Sequence, residues 1–143
     1  MTMRFAYPAE ISAAPDGVTV IFPDVPEAIT DGATRAEALE RAADALVSAL
    51  SLYVEAGERL PCPSPARGRP MVSVAVLEAA KLALHDAMLA AAMSNVELGR
   101  RMGLDEKAVR RLRDPLHRSH IGEIELALRH LGKRAEIAVR ETA

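Results

Sequence analysis

The sequence predicts an α+β chain, a small N-terminal antiparallel sheet with one helix, followed by an all-α helix-turn-helix unit. Three observations carry this reading. Strand formers and turn signals alternate through the first 32 residues, four prolines interrupt residues 60–70, and helical spacing of apolar residues dominates from residue 76 onward. The predicted division is 1–76, including the proline-rich connection 60–70, and 77–143.

"MRFAYPAEIS" (3–12) and "VTVIF" (18–22) are rich in strand formers and joined by the turn signal "APDG", so they form a hairpin. Pro23 and Pro26 break the second strand, "AIT" resumes extended structure, and Asp31 with Gly32 turns the chain. Thr34 N-caps the next helix, with Glu37 three residues on completing a capping box. Ala38, Leu39, Ala42, Ala45, Leu46, Ala49 and Leu50 recur on one face of that helix, which Gly57 stops. In "LPCPSPARGRP", proline withholds N–H donors and favours extended conformations, giving a semi-rigid connection or a surface loop within one domain. "MVSVAV" (71–76) then returns as another strand of the same sheet.

An apolar-periodic helix spans roughly 76–92. Ser94 or Asn95 caps "VELGRRM", Gly103 ends it, and Asp105 caps a third helix that stops before Pro115. Two short helices around a glycine turn make the helix-turn-helix pattern, with Val96, Leu98, Met102, Leu104, Val109 and Leu112 as its core. Ser119 starts another amphipathic helix ended by Gly132, and "AEIAV" closes the chain as a strand. This arrangement is similar to the bacteriophage-repressor type of DNA-binding domain.

Composition narrows the functions. Half of the 143 residues are hydrophobic and 27% are charged, so the chain can bury a core. Two Phe, two Tyr and no Trp leave little material for base-stacking platforms. Cys62, the only cysteine, excludes an intrachain disulfide and a cysteine-based zinc site and fits a reducing cytosol. No apolar run approaches the roughly 20 residues of a membrane span, so a cytoplasmic protein is expected. Residues 1–70 hold ten Asp or Glu against six Lys or Arg, whereas residues 71–143 hold ten against twelve, and all four histidines. The two halves therefore suit different partners.

On the third helix of the second half, removing the core positions leaves Glu106, Lys107, Arg110, Arg111 and Arg113. Lys107, Arg110 and Arg111, three or four apart, reach one groove together. Arginine reads guanine bidentately while other cations hold phosphates. Asn95, Lys107, Arg110, Arg111, Arg113 and Arg118 are the candidate DNA-binding residues, and His117 and His120 suit the backbone. The alternative is a merely solvated basic face. His117 and His120 lack cysteine partners or a nearby acidic ligand at motif spacing, so no metal is expected, and no other cofactor either.

Tyr7, Gly17, "FPDVP" (22–26), "TDGAT" (30–34), "EAL" (37–39) and "GERLPCPS" (57–64), taken as an ordered series, resemble the HicB-type antitoxins. The resemblance covers nearly the whole chain. It implies a degraded ribonuclease-H-like first domain, a DNA-binding extension, and a HicA-type toxin partner that cleaves messenger RNA. It implies that the protein neutralises that toxin and represses its own operon at operator DNA. Tyr7, Phe22, Asp24, Glu27 and Asp31 become the candidate toxin-binding residues. Ribonuclease-H chemistry needs carboxylates converging on two metal ions, which the spacing of Asp24, Glu27 and Asp31 does not require. They are either solvated turn carboxylates or an acidic face for a basic partner. A ligand-responsive transcription factor without a toxin partner is the alternative, and no nucleophile elbow or phosphate loop supports an enzyme. Because helix-turn-helix proteins read symmetric half-sites, a homodimer is expected, or a tetramer if both units self-associate.

Overall fold

The computed structural model describes residues 2–142. Strands β1 (Ala6–Pro8), β2 (Glu10–Ala14), β3 (Gly17–Ile21) and β4 (Ile29–Gly32) precede helix α1 (Arg35–Ala56) and strand β5 (Met71–Ser73). Helices α2 (Val76–Ala90), α3 (Asn95–Met102), α4 (Glu106–Arg113) and α5 (Ile121–His130) follow. The α+β class stands.

β2, β3 and β4 form an antiparallel sheet with Ser12 opposite Thr19 and Val20 opposite Thr30. Along β3, Val20 is buried and Thr19 exposed, the period-2 signature of a sheet with one covered face. The expected single strand 3–12 divides at Ala9. Pro8 has no N–H for a continuous ladder, and the Ala9 amide donates instead to the Pro70 carbonyl at 2.9 Å. β1 pairs with β5, Tyr7 opposite Val72, as a separate two-stranded ribbon, so residues 71–73 do not join the main sheet as expected. The predicted strand shortens because Val76 opens α2.

The α1 cap forms as predicted: Thr34 Oγ1 accepts from the Glu37 amide at 3.2 Å, and Glu37 reaches back to the Ala33 amide. Its far end closes on Gly57 at φ 70°, where the Glu58 amide donates to Tyr53 O. Ala38, Ala42, Leu46, Ala49 and Leu50 face the sheet and join Tyr7, Val20, Phe22 and Val25 in one apolar core. A second core holds Leu84, Met88, Leu98, Val109, Leu112 and Ile124 from α2 to α5. Leu82 of α2 belongs to the first core, so this helix has side chains in both.

Ser94 and Asp105 cap α3 and α4, accepting from the Glu97 and Ala108 amides. α5 begins two residues after Ser119; its N-cap position is His120, which makes no side-chain cap, and the Ser119 hydroxyl accepts from Lys81. "AEIAV" forms no strand. Among the described residues no strand runs beside it, and an extended segment without a partner has no ladder to stabilise it.

Candidate functional sites

In the first half, β3 delivers Phe22 into the core and the following turns carry Asp24 and Glu27. Tyr7 and Phe22 are 0% and 1% exposed. This corrects their reading as contact residues, since a partner reaches neither ring without opening the core. The Tyr7 hydroxyl donates to the Pro61 carbonyl at 2.7 Å, and burial pushes the phenol above its ordinary pKa. Asp24 accepts from the Ser64 amide at 2.8 Å and the Ser64 hydroxyl at 2.5 Å. Glu27 accepts from the Tyr53 hydroxyl at 2.6 and 2.7 Å, a bond that pushes Tyr53 up to about 12. Asp31 lies exposed on β4 opposite Thr19. Two of the three carboxylates thus brace the chain itself. Among the described residues no group of three His, Cys, Asp or Glu is arranged to hold a metal ion. The proline-rich segment is fastened rather than free, with Leu60 buried, Pro61 held by Tyr7 and Ser64 held by Asp24. Cys62 in its midst is exposed.

In the second half, α3 and α4 meet through a turn at Gly103–Asp105. Gly99 makes this approach possible: its carbonyl accepts from the Leu104 amide at 2.8 Å, and a Cβ there would stand 2.5 Å from the Leu104 carbonyl oxygen. Lys107 and Arg111 are exposed on α4, one turn apart, and Arg118 is exposed in the loop beyond. Among the described residues none of these three side chains forms an ion pair. Arg110 is also exposed but pairs with Glu106 one turn back.

Asn95 and Arg113 turn inward. Arg113 Nη1 donates to Asn95 Oδ1 at 2.7 Å and Nη2 to His85 Nδ1 at 2.8 Å, while Asn95 Nδ2 donates to Glu106 at 3.2 Å. Both are half-buried, and these bonds hold the two side chains within the chain where they had been expected to contact DNA. His117 and His120 are exposed on the loop before α5.

Two functional candidates escaped the sequence reading. Lys81 is wholly buried, its Nζ donating to the Arg111 carbonyl and the Ser119 hydroxyl, each at 2.7 Å. It thereby ties the end of α4 to the following loop. His85, also wholly buried, bonds the Glu58 carbonyl through Nε2 at 2.7 Å. Desolvation lowers both pKa values. The available signal was a pair of polar residues four apart within the apolar run "LEAAKLALHDAMLA", where burial demands partners.

These surfaces, on a sheet-and-helix unit joined to a four-helix unit, define a class. Residues 6–83 match the family described as the HicB-like antitoxin of bacterial toxin-antitoxin system. The chain is 39% identical over 137 residues to Antitoxin HicB 2 of Photorhabdus laumondii, covering 96% of this chain and 98% of that one. It is 37% identical over 135 residues to Antitoxin HicB of Escherichia coli K12, covering 93% and 98%. With Antitoxin HicB of Pseudomonas fluorescens it shares 34% over 140 residues, 96% of each. The chain belongs to the HicB-like antitoxin family. Among the described residues no helix is long and apolar enough to cross a membrane.

Proposed function

We propose that the protein binds and neutralises a HicA-type, RNA-cleaving toxin through residues 1–76 and represses its own operon by binding operator DNA through α4. It acts in the cytoplasm as a homodimer or tetramer. Membership of an antitoxin family carries the first half of this reading. The exposed cations Lys107, Arg111 and Arg118, free of acidic partners among the described residues, carry the second. The α3–turn–α4 arrangement supports insertion of α4 in the major groove. Arg111 and Arg110 take the base-reading role, the latter exchanging Glu106 for a base edge, and Lys107 and Arg118 hold phosphates.

For a toxin that handles RNA, a cationic surface is the expected docking partner of Asp31 and the outer edges of Asp24 and Glu27. Mobility shifts on the protein's own upstream DNA, run beside growth rescue during toxin expression, test both halves. Arg111→Ala is expected to lose about 1–3 kcal/mol of base discrimination while still rescuing growth. Arg118→Ala weakens all sequences alike and reduces the salt slope by about one. Promoter binding that survives Arg110→Ala and Arg111→Ala at physiological salt removes α4 from the reading; failure of the parent protein to rescue growth removes the toxin.

A further inference from the structure

His85 and Asp86 of α2 reach across to the exit of α1. His85 meets the Glu58 carbonyl, one residue past the Gly57 cap, and the Asp86 carboxylate accepts from the Leu60 amide at 3.3 Å. From His85 the contacts continue through Arg113, Asn95 and Glu106 to Arg110 on the outer face of α4. We infer that His85, Arg113 and Asn95 are positioning residues, forming a continuous strut that fixes α4 and its exposed cations relative to the first half of the chain.

The polarity of each link is dictated by its neighbour. A guanidinium only donates, so His85 Nδ1 accepts from Arg113, and the ring proton must sit on Nε2, where it donates to Glu58 O. Burial, which lowers the imidazole pKa, agrees with this neutral ring. The Asn95 amide is likewise oriented in one way. Its oxygen faces the Arg113 guanidinium and its nitrogen faces the Glu106 carboxylate; the reverse would oppose like partners at both ends. Glu106 then holds Arg110 through Nε at 3.1 Å. No buried side-chain nitrogen or oxygen among the described residues lacks a partner, so the strut is complete.

Apolar side chains would fill the same space without desolvating a guanidinium and an imidazole. A polar chain supplies what they do not, a single allowed arrangement. The inference rests on the DNA-binding reading of α4 only for its consequence, because the strut itself lies wholly within the chain.

Two measurements on the full-length protein test it, comparing the parent with His85→Leu and Arg113→Met. Residual dipolar couplings are expected to fit one alignment for residues 6–73 and 95–130 in the parent and two in each variant. A single shared alignment retained in the variants overturns the strut. On double-stranded DNA from the protein's own upstream region, both variants are expected to bind roughly tenfold more weakly, as for one misplaced base contact, with an unchanged salt slope. A slope reduced by about one in Arg113→Met would make Arg113 a phosphate contact and overturn its positioning role. Unaltered affinity in a variant with separated alignments would equally overturn the link to DNA. A parent that binds no DNA sinks the DNA reading and leaves the dipolar-coupling result to decide the strut.

Discussion

Replacing Gly99 with alanine sets two effects of opposite sign against each other. In an exposed helix interior the change would add about 0.5–1 kcal/mol, because glycine loses more backbone entropy on folding. Here the new methyl carbon would lie 2.5 Å from the Leu104 carbonyl oxygen, roughly 0.8 Å inside the ~3.3 Å at which carbon and carbonyl oxygen rest. That oxygen belongs to backbone, set between Gly103 at φ 73° and the Asp105 cap, so no rotamer change relieves the contact. α4 must move, loosening Val109 and Leu112 in their core and stretching the Leu104–Gly99 bond. Overpacking costs about 1–3 kcal/mol and the strained hydrogen bond about 1. The clash wins by about 2 kcal/mol net, or roughly 4–8 °C in melting temperature for a chain of this length. Calorimetry measures this directly. Gly122→Ala in α5 is the control: nothing stands within 4 Å of its added carbon, so it should melt at or slightly above the parent. The Gly99 variant should lose operator affinity and still rescue growth, since the first core is untouched. A Gly99→Ala protein as stable as the parent would refute the close-approach argument.

The pairing of Tyr53 with Glu27 predicts that a tyrosine absorbing as phenolate near pH 10 is absent from the parent, where Tyr53 ionises at about 12, and present in Glu27→Gln; identical ultraviolet titrations would contradict it. Ser64→Ala removes a charge-assisted bond to Asp24 and should lower unfolding free energy in urea by about 1–2 kcal/mol, while an unchanged midpoint would mean the proline segment is held otherwise. For His85, burial chiefly, with the Arg113 charge, outweighs the Glu58 carbonyl and Asp86 and sets the folded pKa below 6.5. The unfolded chain therefore binds protons first, so stability is unaffected above about 6.5 and declines as pH falls below it. Urea midpoints compared from pH 7.5 to 5 should show a steeper acid loss in the parent than in His85→Leu, and the opposite order would reverse the assignment.

Features that were legible in the sequence are local. Thr34, Glu37, Ser94 and Asp105 reach backbone groups three or four residues away, and Gly57 and Gly103 close their helices by their own φ. Residue type and order suffice for such contacts. The residues that escaped the sequence reading answer to distant partners. Lys81 bonds residues 30 and 38 positions away and His85 bonds residues 27 and 28 away, so the sequence displays their polarity without the reason for it. Ser119, expected to start α5, likewise answers to Lys81, 38 positions away, and the helix starts at Ile121. Arg113 and Arg111 are chemically alike, but two residues on a helix stand about 200° apart, so Arg113 falls beside the buried Val109 and Leu112 and meets His85 while Arg111 faces the exterior; the spacing displays the two faces and not the partner. "AEIAV" has strand propensity, but propensity without an adjacent edge makes no ladder.

The double membership of α2 determines where relatives can exchange parts. Leu82 sits in one core while Leu84 and Met88, two and six residues on, sit in the other, and the family match itself runs past Leu82 to residue 83. A chimera joined within the proline-rich segment would set a foreign α2 against the resident first core, with an unmatched residue in place of Leu82 and another in place of His85 at the Glu58 carbonyl. A crossover at 91–93, after α2 has ended and before Ser94 caps α3, transfers the whole helix with the first core that Leu82 joins. The seam then falls on the second core, among Leu84, Met88 and the residues of α3 to α5 that they meet, and on the bonds of Lys81 and His85 to Arg111, Ser119 and Arg113, so grafting a new second half means matching an apolar surface together with these buried polar contacts.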